Sequence, residues 1–314
     1  MADHDFIAVT NHAWLLTDRI WEITKEVADE MTQDGTFVSF PAFEWTASSV
    51  CGTHYTPPRP DYPAWGHRNV YFRDSDAAPL LPCTDFDYDT PDELFEALPG
   101  IGAAVTIPHH TGNSTHPFDW STINPDYDRL VEIIQRRGSY ETDIVDNGWS
   151  KGQILGVVGG TDNHIAAAGW RGGITAILAP ALTRDALFDA LLNRHTYATT
   201  HADIILHFFA DGEMQGSVLS PRSTVRLNGE VTSRSGEISL VELLADGAVL
   251  ASWQPGQPTF RFERTLETDE AQHYFYLKVT VDNDHRAWSS PIWVSQQAPA
   301  TTPVPTAVPQ LSSQ

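Results

Sequence analysis

The chain has 314 residues, 41 acidic against 19 basic, for a formal net charge of −22. That excess of carboxylates argues against general nucleic-acid binding, which relies on Lys and Arg to neutralise phosphates. Cys51 and Cys83 are too few for a disulfide framework, though they could form one bridge, and no apolar run is long enough to span a membrane.

Apolar, β-branched runs at 6–10, 37–43, 69–72, 103–107, 130–134, 154–158 and 174–178 predict strands. Helical patterns lie between some of them. From Trp14 to Met31, the residues Leu15, Ile20, Ile23, Val27 and Met31 recur at roughly helical spacing. Thr90-Pro-Asp-Glu93 reads as an N-cap, a proline at the first helical position and acidic first-turn residues, and Thr183-Arg-Asp opens a further helix in the same way. Strands alternating with helices imply βαβ units and a mainly parallel sheet, with chemistry at the carboxyl ends of the strands. Residues 47–66, rich in Pro and aromatics, and 111–128 read as long structured loops that could wall a pocket; His54 and His116 within them read as solvated.

From residue 203 the pattern changes to short strands separated by Asp211-Gly212, Asn228-Gly229 and Asp246-Gly247, the signature of an antiparallel β-sandwich. The expected division is 1–202, an α/β unit; 203–297, a sandwich; and 298–314, a disordered tail rich in Pro and Thr.

Several predicted strands end in metal-type ligands. His12 follows the first, Glu44 the second, His109 and His110 a later one, and Asp162 and His164 follow the strand that starts at Gly156. His and carboxylate without Cys is a typical set for a hydrolytic Zn, Mn or Fe centre. Glu44, between Phe43 and Trp45, needs a partner if buried. Glu132, inside Val131-Glu-Ile-Ile134, is expected to orient His109 or His110, or to pair with an Arg. Arg171, beyond the Asp162 and His164 loop, could clamp a substrate anion.

Taken together, Asp5-Phe-Ile-Ala-Val-Thr-Asn-His12, Phe43-Glu-Trp45, Gly66-His-Arg-Asn-Val-Tyr-Phe72, Pro108-His-His110, Val131-Glu-Ile133 and Gly160-Thr-Asp-Asn-His164 resemble the polymerase-and-histidinol-phosphatase (PHP) superfamily of metal-dependent hydrolases. The branch with carbaryl-hydrolase-like enzymes is the most similar. The resemblance implies a distorted (β/α)7 TIM-like barrel ahead of the sandwich, with two or three divalent ions (Zn, Mn or Fe). It also implies roles. Glu44 would bridge two metals. His67 with His109, preferred over His110 because it comes first after the strand, would complete one site. Asp162 would bind another, and His12 and His164 a third. The family's His-X-His on a preceding first strand has no counterpart here, and Asn11 stands where the family usually has Asp. That departure implies a missing barrel strand, with three explanations open: a truncated sequence, a strand supplied by another chain, or a site reduced to Glu44, His67, His109 and Asp162. Either strain and poor solubility or a compensating contact such as a homo-oligomer is then expected.

The expected activity is hydrolysis of a small-molecule ester. A phosphoester comes first, attacked by a metal-bridging hydroxide with His110 protonating the leaving group. A carboxylic or carbamate ester is the alternative, and a degenerate barrel serving as a binding scaffold is another. Localisation stays open between cytoplasm and export.

Overall fold

The structure is a computed structural model that describes residues 4–46, 65–85, 87–113, 117–165, 167, 169–269 and 271–295. Most of the expected loop at 47–66, His54, His116, Cys51 and the tail at 298–314 lie outside these residues. Cys83 is disulfide-bonded.

The first half contains β1 (Phe6–Ala8), α1 (Asp18–Met31), β2 (Val38–Phe40), β3 (Ala42–Thr46), β4 (His67–Phe72), α2 (Pro91–Ala97), β5 (Ala104–His109), β6 (Leu130–Gln135), β7 (Gly138–Ser139), α3 (Glu141–Asp143), β8 (Gly156–Gly159), β9 (Ile174–Ile177), α4 (Arg184–Leu192) and β10 (Thr196–Thr199). The helix starts follow the sequence signals. The Thr17 side chain accepts from Ile20 N, Thr90 and Glu93 form a reciprocal capping box, and the Thr183 side chain accepts from Ala186 N.

The expected (β/α)7 TIM-like barrel is not what the chain forms. Among the described residues there are four α-helices, of 14, 7, 3 and 9 residues, and no closed barrel. A parallel strand pair needs a crossover of a dozen or more residues, usually a helix. Here β1 pairs with β2 and β6 with β8 in parallel, but β3, β4 and β5 form an antiparallel sheet, and β6 turns back into β7 as a hairpin. Three small sheets stand where one continuous parallel sheet was expected, and they do not form the PHP-type barrel.

The second half adds β11 (Ile204–Ala210), β12 (Glu213–Met214), β13 (Val218–Leu219), β14 (Thr224–Ser233), β15 (Ile238–Ala245), β16 (Ala248–Trp253), β17 (Thr259–Glu267), β18 (His273–Val281), β19 (His285–Ser289) and β20 (Ile292–Val294). One sheet runs β12-β11-β14-β17, and the other contains β13, β15, β16, β18, β19 and β20. Inward residues of both sheets, among them Leu206, Phe208, Leu227, Val241, Leu277 and Val279, share one apolar core, as in a sandwich. The second sheet continues into the first half, because β19 pairs with β10 and β10 with β9, across the expected boundary at 202.

Strand alternation sets the site. In β3 and β4, Phe43, Trp45, Val70 and Phe72 face a core beneath α1 and α2. Their alternates Glu44, His67 and Tyr71 face the opposite way. Val105 and Ile107 on β5, Leu130 on β6, and Phe188 and Leu191 on α4 build a second core on that side. His109 shares the parity of Val105 and Ile107, and Glu132 that of Leu130. Polar ligand types therefore cap an apolar interior at one end of the strands.

Candidate metal centre

Glu44, His67, His109 and His110 are all buried, and one ligand atom from each lies within 4.8 Å of the others. Register brings them together: His67 and His109 are direct partners across β4 and β5, and Thr46, two residues beyond Glu44, is opposite His67. Gly66 leads into β4 at φ 82°, and a Cβ there would collide with Phe118, so glycine is required just before His67. His110 adopts φ 40°, a left-handed turn that keeps its ring 4.1 Å from that of His109 and 4.6 Å from that of His67, centroid to centroid.

Glu44 is the hub. Its Oε1 lies 2.6 Å from His67 Nδ1 and 3.4 Å from His109 Nε2, and its Oε2 lies 3.3 Å from His12 Nδ1. Backbone pairing fixes His12 there, since Glu44 N donates to Asn11 O and His12 bridges to Glu44 in parallel. Burial pushes the Glu44 carboxyl up, but the charge of His109 and the close approach of the His109, His12 and His67 rings outweigh it and hold it well below its ordinary value. His109 loses by burial and gains more from Glu44, Glu132 and Asp162, ending at about 9. Burial, followed by the charges of His109 and His67, pushes His110 far down, so its ring stays neutral.

Glu132 lies behind His109, with Oε2 3.9 Å from His109 Nδ1 and accepting from His110 N at 3.3 Å. Burial, with the Asp162 charge, raises it to about 7 against the opposing pull of His109.

Asp162 stands beside the cluster, in a left-handed turn at φ 44°. Its Oδ2 accepts from Gln135 Nε2 at 2.9 Å and pairs with Arg137 Nη1, and its Oδ1 is 3.5 Å from His164 Nε2. The His164 side chain is 59% exposed, and its ring is 5.7 Å from that of His12. Arg171 is exposed, with its guanidinium 4.5 Å from the Trp170 ring centroid. The structure thus gathers Glu44, His67, His109 and His110 tightly, puts His12, Asp162 and His164 at their edge, and turns Arg171 onto Trp170. Sequence reasoning missed Gln135 and Arg137. Their only signal was an Arg-Arg pair in the turn after a strand.

The donor set suits a divalent ion of the Zn, Mn or Fe kind. Both ring nitrogens of the buried His109 lack a hydrogen-bond partner. An unsatisfied buried nitrogen is costly, and a cation among these groups would satisfy it.

Residues 3–147 and 160–237 match a family described as a protein of unknown function, DUF3604. The chain belongs to this family. The DUF3604 match takes in every residue of the cluster. The chain is 30% identical over 236 residues to an uncharacterised protein of Chlamydia pneumoniae, an alignment covering 60% of this chain and 38% of that protein. An uncharacterised protein of Chlamydia muridarum is 26% identical over the same length, with the same coverage. The chain therefore spans 38% of the length of these relatives. None of these matches points to the PHP superfamily. Among solved structures, the fibronectin(III)-like modules of Clostridium thermocellum CbhA are similar at 21% identity, covering 29% of this chain and 97% of that one, with a TM-score of 0.22. An endo-beta-1,4-mannanase from Thermotoga petrophila is similar at 10% identity, covering 59% and 51%, with a TM-score of 0.23. Likeness at that level bears on neither fold nor function. Among the described residues no helix is long and apolar enough to cross a membrane.

Proposed function

We propose that this DUF3604 protein is a metal-dependent hydrolase of small phosphate esters, with its centre at Glu44, His67, His109 and His110. One observation carries the reading: four buried ligand-type side chains converge within 4.8 Å, and His109 among them has no hydrogen-bond partner at either ring nitrogen.

A divalent ion held there would supply Lewis-acid activation of water and stabilise charge on the ester oxygens. The protein's residues do the rest. Glu44 stays ionised and contributes the negative charge a cation needs. Glu132 sits behind His109, 3.9 Å from its Nδ1, and adds negative charge on that side of the imidazole. His12, His164 and Asp162 at the edge can add ligands. In the overall reaction a water oxygen bonds to phosphorus, the bond from phosphorus to the leaving oxygen breaks, and that oxygen takes a proton. His110, held neutral, suits ligation better than proton donation. Glu132, raised to about 7, suits proton carriage.

Metal content by inductively coupled plasma mass spectrometry, for wild type and Glu44→Gln, tests the centre. Turnover of p-nitrophenyl phosphate with added Mn tests the chemistry. At least one ion per chain, lost in the variant together with turnover, is expected. A wild type that binds no metal, or a Glu44→Gln variant with near-normal turnover, overturns the reading.

A further inference from the structure

The proposed centre collects carboxylates from Glu44, Glu132 and Asp162 within a chain of net charge −22. An anionic ester approaching it needs fixed positive charge at the entrance. Arg171, the residue the sequence suggests for that role, lies over Trp170 instead.

A different arginine is in place. Arg136 and Arg137 form the two-residue turn between β6 and β7, where Gln135 pairs with Gly138. Gly138 at φ 122° lets the chain reverse there. The Gln135 side chain braces this turn at both ends: its Oε1 accepts from Arg137 N at 2.5 Å, and its Nε2 donates to Asp162 Oδ2 at 2.9 Å. Asp162 Oδ2 also pairs with Arg137 Nη1, so one carboxylate oxygen and one amide fix the guanidinium in position. Asp162 itself sits beside the cluster: Gly160, two residues before it, lies against Glu132 Oε1, and Asp162 Oδ1 is 3.5 Å from His164 Nε2, whose ring is 5.7 Å from that of His12. The Arg137 side chain is 40% exposed, while that of Asp162 is 9% exposed. The guanidinium is therefore tied to Asp162 through Nη1 on a side chain that is still well exposed.

We propose that Arg137 is the anion receptor of this centre, placing the phosphate of a phosphomonoester against the Glu44, His67, His109 and His110 cluster. The proposal rests on the hydrolase reading for the identity of the ester, though not for the anion site itself. A guanidinium carries five N–H donors in a planar fork that matches two phosphate oxygens. Asp162 engages part of that fork and orients the remainder, so little side-chain freedom is lost when an anion arrives. The substrate class that follows is a small ester carrying its own negative charge at the scissile group. Neutral carboxylic esters would gain nothing from Arg137.

The test is inorganic phosphate titrated calorimetrically into wild type, Arg137→Ala, Arg137→Lys, Arg171→Ala and Arg222→Ala, each with and without Mn and each checked for an unchanged melting temperature. Arg222 pairs with Asp211 in the sandwich and serves as the control. Arg137→Ala is expected to weaken phosphate binding about tenfold or more, and Arg137→Lys to recover part of it, because charge returns without the fork. On substrates, Arg137→Ala should raise KM for p-nitrophenyl phosphate and leave p-nitrophenyl acetate unchanged. Wild type that binds no phosphate, Arg137→Ala that binds it normally, or a loss confined to Arg171→Ala overturns the proposal. Phosphate binding that depends on Arg137 in a protein that holds no metal and hydrolyses no ester would sustain the anion site and sink the hydrolase reading alone.

Discussion

His67 and His109 face each other as Cα partners across β4 and β5, and a single oxygen of Glu44 reaches 2.6 Å from one ring and 3.4 Å from the other. The carboxylate serves two buried imidazoles at once. A cation between them would be held by the same three groups.

That geometry makes Glu44 the residue whose removal costs most at the site. Glu44→Gln keeps the shape and removes the charge. We expect bound metal to fall at least about tenfold, since hydrogen bonds and pairs involving a charged group contribute on the order of 1.5–3 kcal/mol each. Metal per chain after dialysis against a weak chelator reads this directly. Retention at the wild-type level would remove Glu44 from the ligand set.

Gly160 is tied to Glu132 by space alone. A Cβ at Gly160 would collide with Glu132 Oε1. Because the colliding atom is the end of a side chain that can turn, Gly160→Ala should cost no more than about 1 kcal/mol and push Glu132 away from His109. Urea denaturation gives the first effect, and reduced metal affinity gives the second. A neutral outcome in both would mean that Glu132 moves freely.

Arg68 and Asp128 form an ion pair with both side chains fully buried, on the opposite strand face from the cluster. Asp128 also accepts from Thr106 Oγ1 at 2.5 Å and from Asn124 N at 3.0 Å. Asp128→Ala would strand a buried guanidinium, and about 3–5 kcal/mol of stability should be lost. Denaturant midpoints check this. A loss under about 1 kcal/mol would mean that water reaches Arg68 once its partner is gone.

Acid sensitivity should come partly from His195. Burial, then the neighbouring Arg194 charge, pushes its pKa from 6.5 down to about 4. The unfolded chain then binds the proton more readily than the folded one between these values. Stability from this group is fully present above pH 6.5, falls as the pH drops toward 4, and changes no further below that. Between pH 7 and pH 4.5 the loss is about 2–3 kcal/mol. His195→Asn should flatten the wild-type stability profile by that amount over the same interval. Parallel profiles for the two proteins would show that His195 titrates normally.

The gathered side chains were more legible in the sequence than the architecture. Glu44, His67, His109 and Asp162 could be picked out because each ends or opens an apolar run, where alternation leaves a polar side chain at the rim of a core. The same runs cannot report pairing direction. The runs at 37–43, 69–72 and 103–107 read as buried parallel strands, yet β4 is antiparallel to both β3 and β5. Capping at Thr17, Thr90 and Thr183 was readable because a cap is local. Arg137 was not, because its role depends on Asp162 arriving from 25 residues away to meet a hairpin turn. The α1 pattern misled in another way: Ile20, Ile23, Val27 and Met31 stay exposed, while Trp21 and Ala28 are buried.

The strand β10 has a consequence for how the molecule comes apart. It pairs with β9 on one side and with β19 on the other, and Thr196 and Ser290 join side chains at 3.0 Å beside it. Farther along, Glu141 of the first half accepts from Tyr276, Lys278 and Trp288 of the second. The region bearing the cluster and the sandwich are thus stitched through shared backbone hydrogen bonds and one carboxylate. Melting should be cooperative across both, with a single transition by tryptophan fluorescence and by far-ultraviolet circular dichroism. A fragment cut after residue 202 would keep the cluster and β10 but lose β19, the partner that braces β10 from the sandwich side.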